Sequence, residues 1–188
     1  FVRLSGCNLW SGIEENRSSG KGTCSEWCDT DFAHGDKMEV NDLVSKIIQC
    51  ADEGGVSRSI RWLVVITGGE PILQLKKPDG ILLLEALADR CTVAVETNGT
   101  VAIGSSLAAL LDHITVSPKP LKANPTALDH IVVRTGTDLK VTVPSPWSTD
   151  DLIRMGEWVF KHRFVQAIDK EGESEVNMST TIALASAL

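Results

Sequence analysis

Six short apolar segments, separated by helix-like stretches, are the feature that most constrains the fold of this chain. Most are continuous runs rich in Val and Ile, which is typical of strands buried on both faces of a parallel sheet. The predicted strands are Phe1–Leu4, Trp62–Thr67, Thr92–Glu96, Ile114–Ser117, Leu139–Val143 and Phe164–Ile168. Their alternation with helices implies an α/β fold with a parallel sheet and right-handed crossovers. The pattern leaves open whether the sheet closes, opens partway or lies flat.

The helices between these strands are indicated by apolar residues at helical spacing. Val40, Leu43, Val44, Ile47 and Ile48 form one stripe of a helix that ends at Gly54-Gly55. The further predicted helices are Pro78–Arg90, Ser106–Asp112, Leu152–His162 and Ser179–Leu188. A capping box of Ser148 and Asp151 precedes the helix at Leu152–His162.

Length and charge limit the classes of protein to which the chain can belong. Its 188 residues suit one domain, 1–188, with a sizeable core. A net charge of −7 with interspersed signs argues against a broad nucleic-acid surface. No apolar run is long enough to span a membrane, and no signal peptide opens the chain, so we expect a cytoplasmic protein. Both ends look incomplete, because the chain starts within a strand and stops within a helix.

Polar and Gly-rich motifs follow four of the predicted strands. The ends of parallel strands meet at one edge of an α/β sheet, where ligands bind, so we expect these motifs to form one site. The motifs are GGEP at 68–71, ETNGT at 96–100, SPK at 117–119, and Gln166 with Asp169.

Three of the five cysteines lie in the first 28 residues and read as a metal site. Cys7 follows the first strand, and Cys24 and Cys28 can meet it if the polar loop between them folds back. Three thiolates can hold a [4Fe–4S] cluster and leave one iron open, which can chelate the amino and carboxylate groups of a methionine moiety. The alternative is a zinc site with His34 as fourth ligand.

The remaining cysteines, Cys50 and Cys91, read as ordinary buried thiols.

The residues after the second and third strands suit ligand binding, although each has a structural alternative. Gly68 and Gly69 allow a close approach to the backbone, and Glu70 offers a carboxylate to an amine. Glu96 is placed to bind ribose hydroxyls. A plain strand-to-helix turn would also explain GGEP, and a solvated loop carboxylate would explain Glu96.

Arg3 stands between Val2 and Leu4 in a strand predicted to be buried, where a cation is unfavourable unless it is paired. A substrate carboxylate or an internal ion pair would each account for it.

The combined motifs resemble those of the 7-carboxy-7-deazaguanine synthase family of radical S-adenosylmethionine (SAM) enzymes, over nearly the whole chain. They are CNLW at 7–10, CDTDF at 28–32, TGGEP at 67–71, ETNGT at 96–100 and SPK at 117–119. The resemblance implies an incomplete (β/α)6 barrel, a cluster-binding loop at 7–32, a [4Fe–4S] cluster, SAM and Mg²⁺. It also implies a homodimer, a flavodoxin-type electron donor and no direct contact with nucleic acid or membrane.

The reaction implied by the resemblance converts 6-carboxy-5,6,7,8-tetrahydropterin to 7-carboxy-7-deazaguanine with loss of ammonia. The resemblance also implies a role for individual residues. Cys7, Cys24 and Cys28 would hold the cluster, Thr30 would bind Mg²⁺, and the substrate would be bound by Arg3, Thr67 and Gly69. The implied SAM contacts are Trp27, Gly69, Glu70, Glu96, Asn98, Ser117, Lys119 and Gln166.

The chain departs from the usual radical SAM pattern, CxxxCxxC, in its cysteine spacing. Sixteen residues separate Cys7 from Cys24, and three separate Cys24 from Cys28. The family's terminal segments Gln-Gly-Glu-Gly and Gln-Thr-His-Lys do not occur in the sequence. Three alternatives therefore stand beside the synthase: a glycyl-radical activase, a zinc or electron-transfer module without SAM chemistry, and an inactive scaffold.

Overall fold

The computed structural model describes residues 1–13, 15–16, 24, 28, 30–55, 57, 59–169 and 172–187. Within these residues the chain forms six strands and six helices. The strands are β1 Val2–Leu4, β2 Trp62–Gly68, β3 Cys91–Thr97, β4 His113–Val116, β5 Thr135–Val143 and β6 Val159–Ala167. The helices are α1 Val40–Glu53, α2 Ile72–Leu75, α3 Pro78–Ala88, α4 Ser105–Ala108, α5 Thr149–Gly156 and α6 Ser174–Ala187.

All six strands belong to one parallel sheet in the order β1-β2-β3-β4-β5-β6, and the sheet is not closed. The order follows the sequence because each crossover places the next strand beside the previous one. This confirms the predicted α/β class and the incomplete barrel, and it answers the question that the pattern left open.

The core lies on the helix-covered face of the sheet. One part packs α1 and α3 against the buried residues of β2 and β3, where Ile66, Leu84 and Val95 are fully buried. The other part lies behind β4 and β5, where Met155 of α5 packs with Trp147 and Trp158. The alternation of buried and part-buried residues along β3 and β5 leaves every second side chain on the opposite face of the sheet.

The helix predicted at Leu152–His162 is wrong in its second half. Helix α5 ends at Gly156, and β6 begins at Val159. The run Trp158-Val159-Phe160 is apolar without a clear period, so local pattern could not separate helix from strand. The predicted capping box is confirmed: the Ser148 hydroxyl accepts from the Asp151 N–H at 3.1 Å, and the Ser148 N–H donates to the Asp151 carboxylate at 2.9 Å.

None of the helices in the described ranges has the length and apolar character needed to span a membrane.

Candidate functional site

A cavity of about 360 Å³ opens at the carboxyl-terminal edge of the sheet. Residues that follow or end β1 to β6 line it, as the positions of the sequence motifs predict. The predicted residues along its wall are Cys7, Cys24, Cys28, Thr30, Gly69, Glu96, Asn98, Ser117, Lys119 and Gln166.

The three cysteines reach this cavity from separate parts of the amino-terminal segment. Cys7 follows β1, and the Cys24 N–H donates to the Leu9 carbonyl at 3.2 Å. Cys24 also forms an isolated antiparallel bridge with Leu121, in the connection from β4 to β5. All three thiols are partly buried and without disulfides. Of the predicted loop 7–32, residues 14, 17–23, 25–27 and 29 lie outside the described residues, and the predicted SAM contact Trp27 is among them.

The surroundings of Cys7 have opposing effects on the pKa of its thiol. Burial raises the pKa of Cys7 above its ordinary value, and hydrogen bonds from the backbone of Leu9 and Trp10 offset part of that rise. The Leu9 N–H donates to the Cys7 Sγ at 3.4 Å. Backbone donors aimed at sulfur stabilise the thiolate, which is the form that binds iron.

This thiol set fits an iron–sulfur cluster better than a single zinc ion. A four-iron cluster presents a different iron to each thiolate, whereas zinc needs four ligands around one point. Among the described residues, no three His, Cys, Asp or Glu side chains are grouped closely enough to hold a single metal ion. His34, the predicted fourth zinc ligand, has a side chain that is 89% exposed and contacts Asp31 at 3.2 Å. The zinc alternative is therefore not supported.

The two glycines after β2 bring that turn into direct contact with the Cys7 loop. Gly68 has φ +129°, a conformation that favours glycine. A Cβ on Gly69 would overlap the Gly6 carbonyl group and lie 3.0 Å from the Cys7 Cβ. The Glu70 N–H donates to the Gly6 carbonyl at 2.8 Å. The GGEP turn therefore packs directly against the loop that carries Cys7.

Glu70 is placed differently from the prediction, because its carboxylate faces away from the cavity. The side chain is fully buried and accepts from the Thr97 hydroxyl at 2.7 Å, the Asn98 N–H at 2.7 Å and the Ile72 N–H at 3.0 Å. Burial raises the pKa of Glu70, and these three donors offset part of that rise. Glu70 thus ties the turn after β2 to the turn after β3, a role that motif position alone did not reveal.

Glu96 is the penultimate residue of β3 and lies on the cavity wall, as predicted. Its Oε1 lies 3.1 Å from the Lys140 Nζ, and its Oε2 accepts from the Thr67 hydroxyl at 3.5 Å. Thr67 itself is not part of the wall. The arrangement leaves a carboxylate that a ribose hydroxyl could reach.

Asn98 and Ser117 lie on the wall where the sequence predicts them, and each has an internal partner. The Asn98 Oδ1 accepts from the Thr100 N–H at 2.9 Å, and its Nδ2 donates to the Asn8 Oδ1 at 3.2 Å. The Lys119 Nζ donates to the Ser117 hydroxyl at 3.1 Å. Asn98 therefore both shapes its turn and faces the cavity.

Arg3 is exposed, which corrects the expectation of a buried cation. Strand β1 is an edge strand of three residues, so its side chains are not enclosed on both faces. The Arg3 guanidinium donates to the Thr30 hydroxyl at 3.5 Å, and Thr30 lies on the cavity wall. Arg3 therefore lies beside the cavity and needs no internal ion pair. Cys50 is also exposed, contrary to its prediction as a buried thiol, whereas Cys91 is buried.

Sequence reasoning missed Lys140 and Thr142 as residues of the wall, whereas Asp169 lies on the wall at the edge where the sequence places it. Lys140 and Thr142 occupy alternate positions of β5, and that alternation was the available signal. No motif surrounds them, so the sequence predicts only a core strand at this position.

Comparisons with known proteins agree with this geometry. No family model matches the chain. The chain is 37% identical over 179 residues to the 7-carboxy-7-deazaguanine synthase of Burkholderia multivorans, covering 90% of this chain and 72% of that protein. It is 35% identical over 175 residues to the synthase of the same name from Bordetella pertussis, with the same coverage. The crystal structure of QueE from Escherichia coli matches with a TM-score of 0.53 and 18% identity, over 97% of this chain and 80% of that one, which supports the fold.

Proposed function

The chain belongs to the 7-carboxy-7-deazaguanine synthase family, and from that premise we propose that it converts 6-carboxy-5,6,7,8-tetrahydropterin to 7-carboxy-7-deazaguanine with loss of ammonia. The supporting observation is that Cys7, Cys24 and Cys28 share one cavity with the motifs that end the strands. Family membership implies a [4Fe–4S] cluster and SAM as cofactors. A zinc module and a glycyl-radical activase have no observation in their favour.

Cys7, Cys24 and Cys28 hold the cluster in this proposal, and their three thiolates leave one iron for the methionine end of SAM. A cluster held there would, when reduced, supply the electron for cleavage of SAM to methionine and a 5′-deoxyadenosyl radical. The protein's part is to position the reactants and exclude water.

The proposed SAM contacts run along the wall from the turn after β2 to the end of β6. Gly69 allows the methionine moiety to approach the backbone, and Glu96 accepts from ribose hydroxyls. Asn98, Ser117, Lys119 and Gln166 complete the set, as does Trp27, which lies outside the described residues. Glu70 acts through the turn that it holds, since its carboxylate is engaged on three sides.

The proposed substrate contacts lie on β1 and β2, beside the cavity. The exposed guanidinium of Arg3 can bind the pterin carboxylate in bidentate geometry. Thr67 and Gly69 lie on the neighbouring strand β2, and Arg3 is paired in register with Thr67. The substrate would then lie between β1 and the cluster cysteines.

Magnesium at Thr30 forms a separate part of the proposal. Thr30 lies on the wall beside Arg3, where Mg²⁺ would share the substrate carboxylate with the guanidinium. Mg²⁺ is usually bound by few protein groups together with substrate oxygens, which suits a single hydroxyl. Turnover that persists after all Mg²⁺ is chelated would contradict this part.

We further propose a single radical SAM domain, a homodimer, a flavodoxin-type electron donor and a cytoplasmic location. These follow from family membership alone.

The decisive experiment is anaerobic reconstitution with iron and sulfide, followed by incubation with SAM, reductant, Mg²⁺ and the carboxytetrahydropterin. Mass spectrometry should detect 7-carboxy-7-deazaguanine. A protein that binds a cluster and cleaves SAM without forming this product would overturn the proposed substrate, and a protein without a cluster would overturn the proposed chemistry.

A further inference from the structure

Lys140 lies on the wall of the cavity, on the fifth of the six strands of the sheet. It belongs to β5, and its side chain is 23% exposed. Its Nζ lies 3.1 Å from the Glu96 Oε1 on β3. Since β4 lies between β3 and β5, the Lys140 side chain crosses one whole strand to reach this carboxylate.

The contact fixes one end of the Glu96 carboxylate and leaves the other open. Oε1 is held by Lys140, while Oε2 has the Thr67 hydroxyl at 3.5 Å, beyond the usual range of a strong hydrogen bond. Because the Glu96 side chain is 34% exposed, Oε2 can still accept a hydrogen from a ligand. Lys140 therefore determines which oxygen faces the ligand and in which direction.

The other charged groups on this face have different partners. Asp138, two residues before Lys140, lies 3.0 Å from the His162 Nδ1. Lys119 donates to Ser117. The cation of Lys140 is thus directed to Glu96, and when a ligand displaces water from the cavity this pairing offsets the penalty of burying the carboxylate.

We propose that Lys140 is a positioning residue for SAM, which orients Glu96 so that its second oxygen accepts a hydrogen bond from the ribose. The assignment rests on the proposed function, in which Glu96 binds the ribose. It predicts that Lys140 strengthens the binding of SAM only through the ribose hydroxyls. A SAM analogue without these hydroxyls should therefore bind equally well whether or not Lys140 is present.

Affinity for SAM and for its 2′,3′-dideoxy analogue should be measured by anaerobic calorimetry on reconstituted protein with the cluster oxidised, so that no turnover occurs. The wild type should bind SAM roughly tenfold more tightly than the analogue. Lys140→Met should bind SAM roughly tenfold more weakly than the wild type while binding the analogue unchanged. Lys140→Arg, which keeps the charge, should recover part of the discrimination.

Lys161→Met is the matched control, because Lys161 is an exposed lysine on β6 outside the cavity wall. It should bind both ligands as the wild type does. Circular dichroism and iron content should be unchanged in all variants. Equal losses for SAM and analogue in Lys140→Met, or an unchanged affinity for SAM, would overturn the positioning role alone. A wild type that binds a cluster but no SAM would overturn the proposed function and this assignment with it.

Discussion

Glu70 is a residue on which two turns of the site depend, although its carboxylate does not face the cavity. It accepts hydrogen bonds from Thr97 at the end of β3, from Asn98 directly after β3 and from Ile72 shortly after β2. A glutamine in its place would direct an amide N–H at groups that are themselves donors. The consequences of changing it are therefore expected first in stability.

Glu70→Gln should lower the free energy of unfolding by about 1–3 kcal/mol, the usual cost of leaving buried hydrogen-bonding groups without a partner. Urea denaturation of the reconstituted protein measures this difference. Glu85→Gln on the exposed face of α3 is the matched control and should be close to neutral. A loss of equal size in both variants would contradict the role given to Glu70.

The pH dependence of that difference has a defined sign. Burial raises the pKa of Glu70, so its contribution to stability is present below the carboxyl pKa of the unfolded chain and is lost as pH rises through the folded value. The advantage of the wild type over Glu70→Gln should thus shrink over the pH range above about 4, the usual pKa of a glutamate in an unfolded chain. Denaturation curves across this range would contradict the argument if the advantage grew.

Gly69→Ala tests the contact between the turn after β2 and the cysteine loop. A methyl group would overlap the Gly6 carbonyl and press on Cys7, and overpacking of this kind typically destabilises by about 1–3 kcal/mol. Because the strain falls on Cys7, a proposed cluster ligand, bound iron and sulfide should decrease together with the melting temperature. Gly104→Ala, whose Cβ would meet nothing within 4 Å, should retain both. Full iron content in Gly69→Ala would show that the loop moves without harm.

At the scale of elements, local pattern predicts strands well and their surroundings poorly. Strands β2 and β3 are enclosed by α1 and α3, so their apolar runs identify them. Edge strand β1 has the same pattern, yet Arg3 is exposed because no strand covers its other side. Likewise Glu96 could be placed from its position after a strand, whereas its partner Lys140 comes from a strand 44 residues later.

The capping box of α5 is an element whose contribution can be isolated. Ser148→Ala removes the side chain that accepts from the Asp151 N–H, and such N-cap losses usually amount to about 1 kcal/mol. Ser179→Ala in α6 removes a hydroxyl that donates to the Glu175 carbonyl within the helix, so it should be neutral or slightly stabilising. Thermal unfolding of both variants checks the contrast, which would fail if the two changes had equal effects.

The connection from β4 to β5 carries the proposed SAM contact Lys119 and is held by a histidine. The His130 Nε2 lies 2.8 Å from the Lys119 carbonyl, so it carries the proton and donates. His130→Ala should raise the KM for SAM roughly tenfold with little change in kcat. His130→Gln can donate from its amide and should restore part of the loss. A variant that lost kcat alone would place His130 in a different role.

At the scale of the whole molecule, closure of the sheet could not be predicted from the chain. Closure depends on strand tilt and stagger, which local periodicity does not encode. The open sheet leaves Leu63 of β2 and Phe164 of β6 more than half exposed. All six strands, or the residues that directly follow them, nevertheless contribute to the wall of the cavity at the carboxyl-terminal edge of the sheet.

The proposed cluster site joins parts of the molecule that are distant in sequence. Cys7 follows β1, and Cys24 bridges to Leu121 beyond β4. A bound cluster therefore stabilises contacts across the fold, and a ligand that binds only the folded state raises the apparent stability of the whole chain. The melting temperature should fall when iron is chelated anaerobically.

Replacing each cysteine separately tests this dependence. Cys7→Ala, Cys24→Ala and Cys28→Ala should each lose the cluster absorbance and most of the bound iron, and each should melt at the temperature of the iron-depleted wild type. Cys50→Ala changes a thiol that is exposed on α1, so it should keep the cluster and the wild-type melting temperature. Retention of a full cluster by any of the first three variants would remove that cysteine from the ligand set. Loss of the cluster in Cys50→Ala would show that the ligand set extends to the opposite face of the sheet.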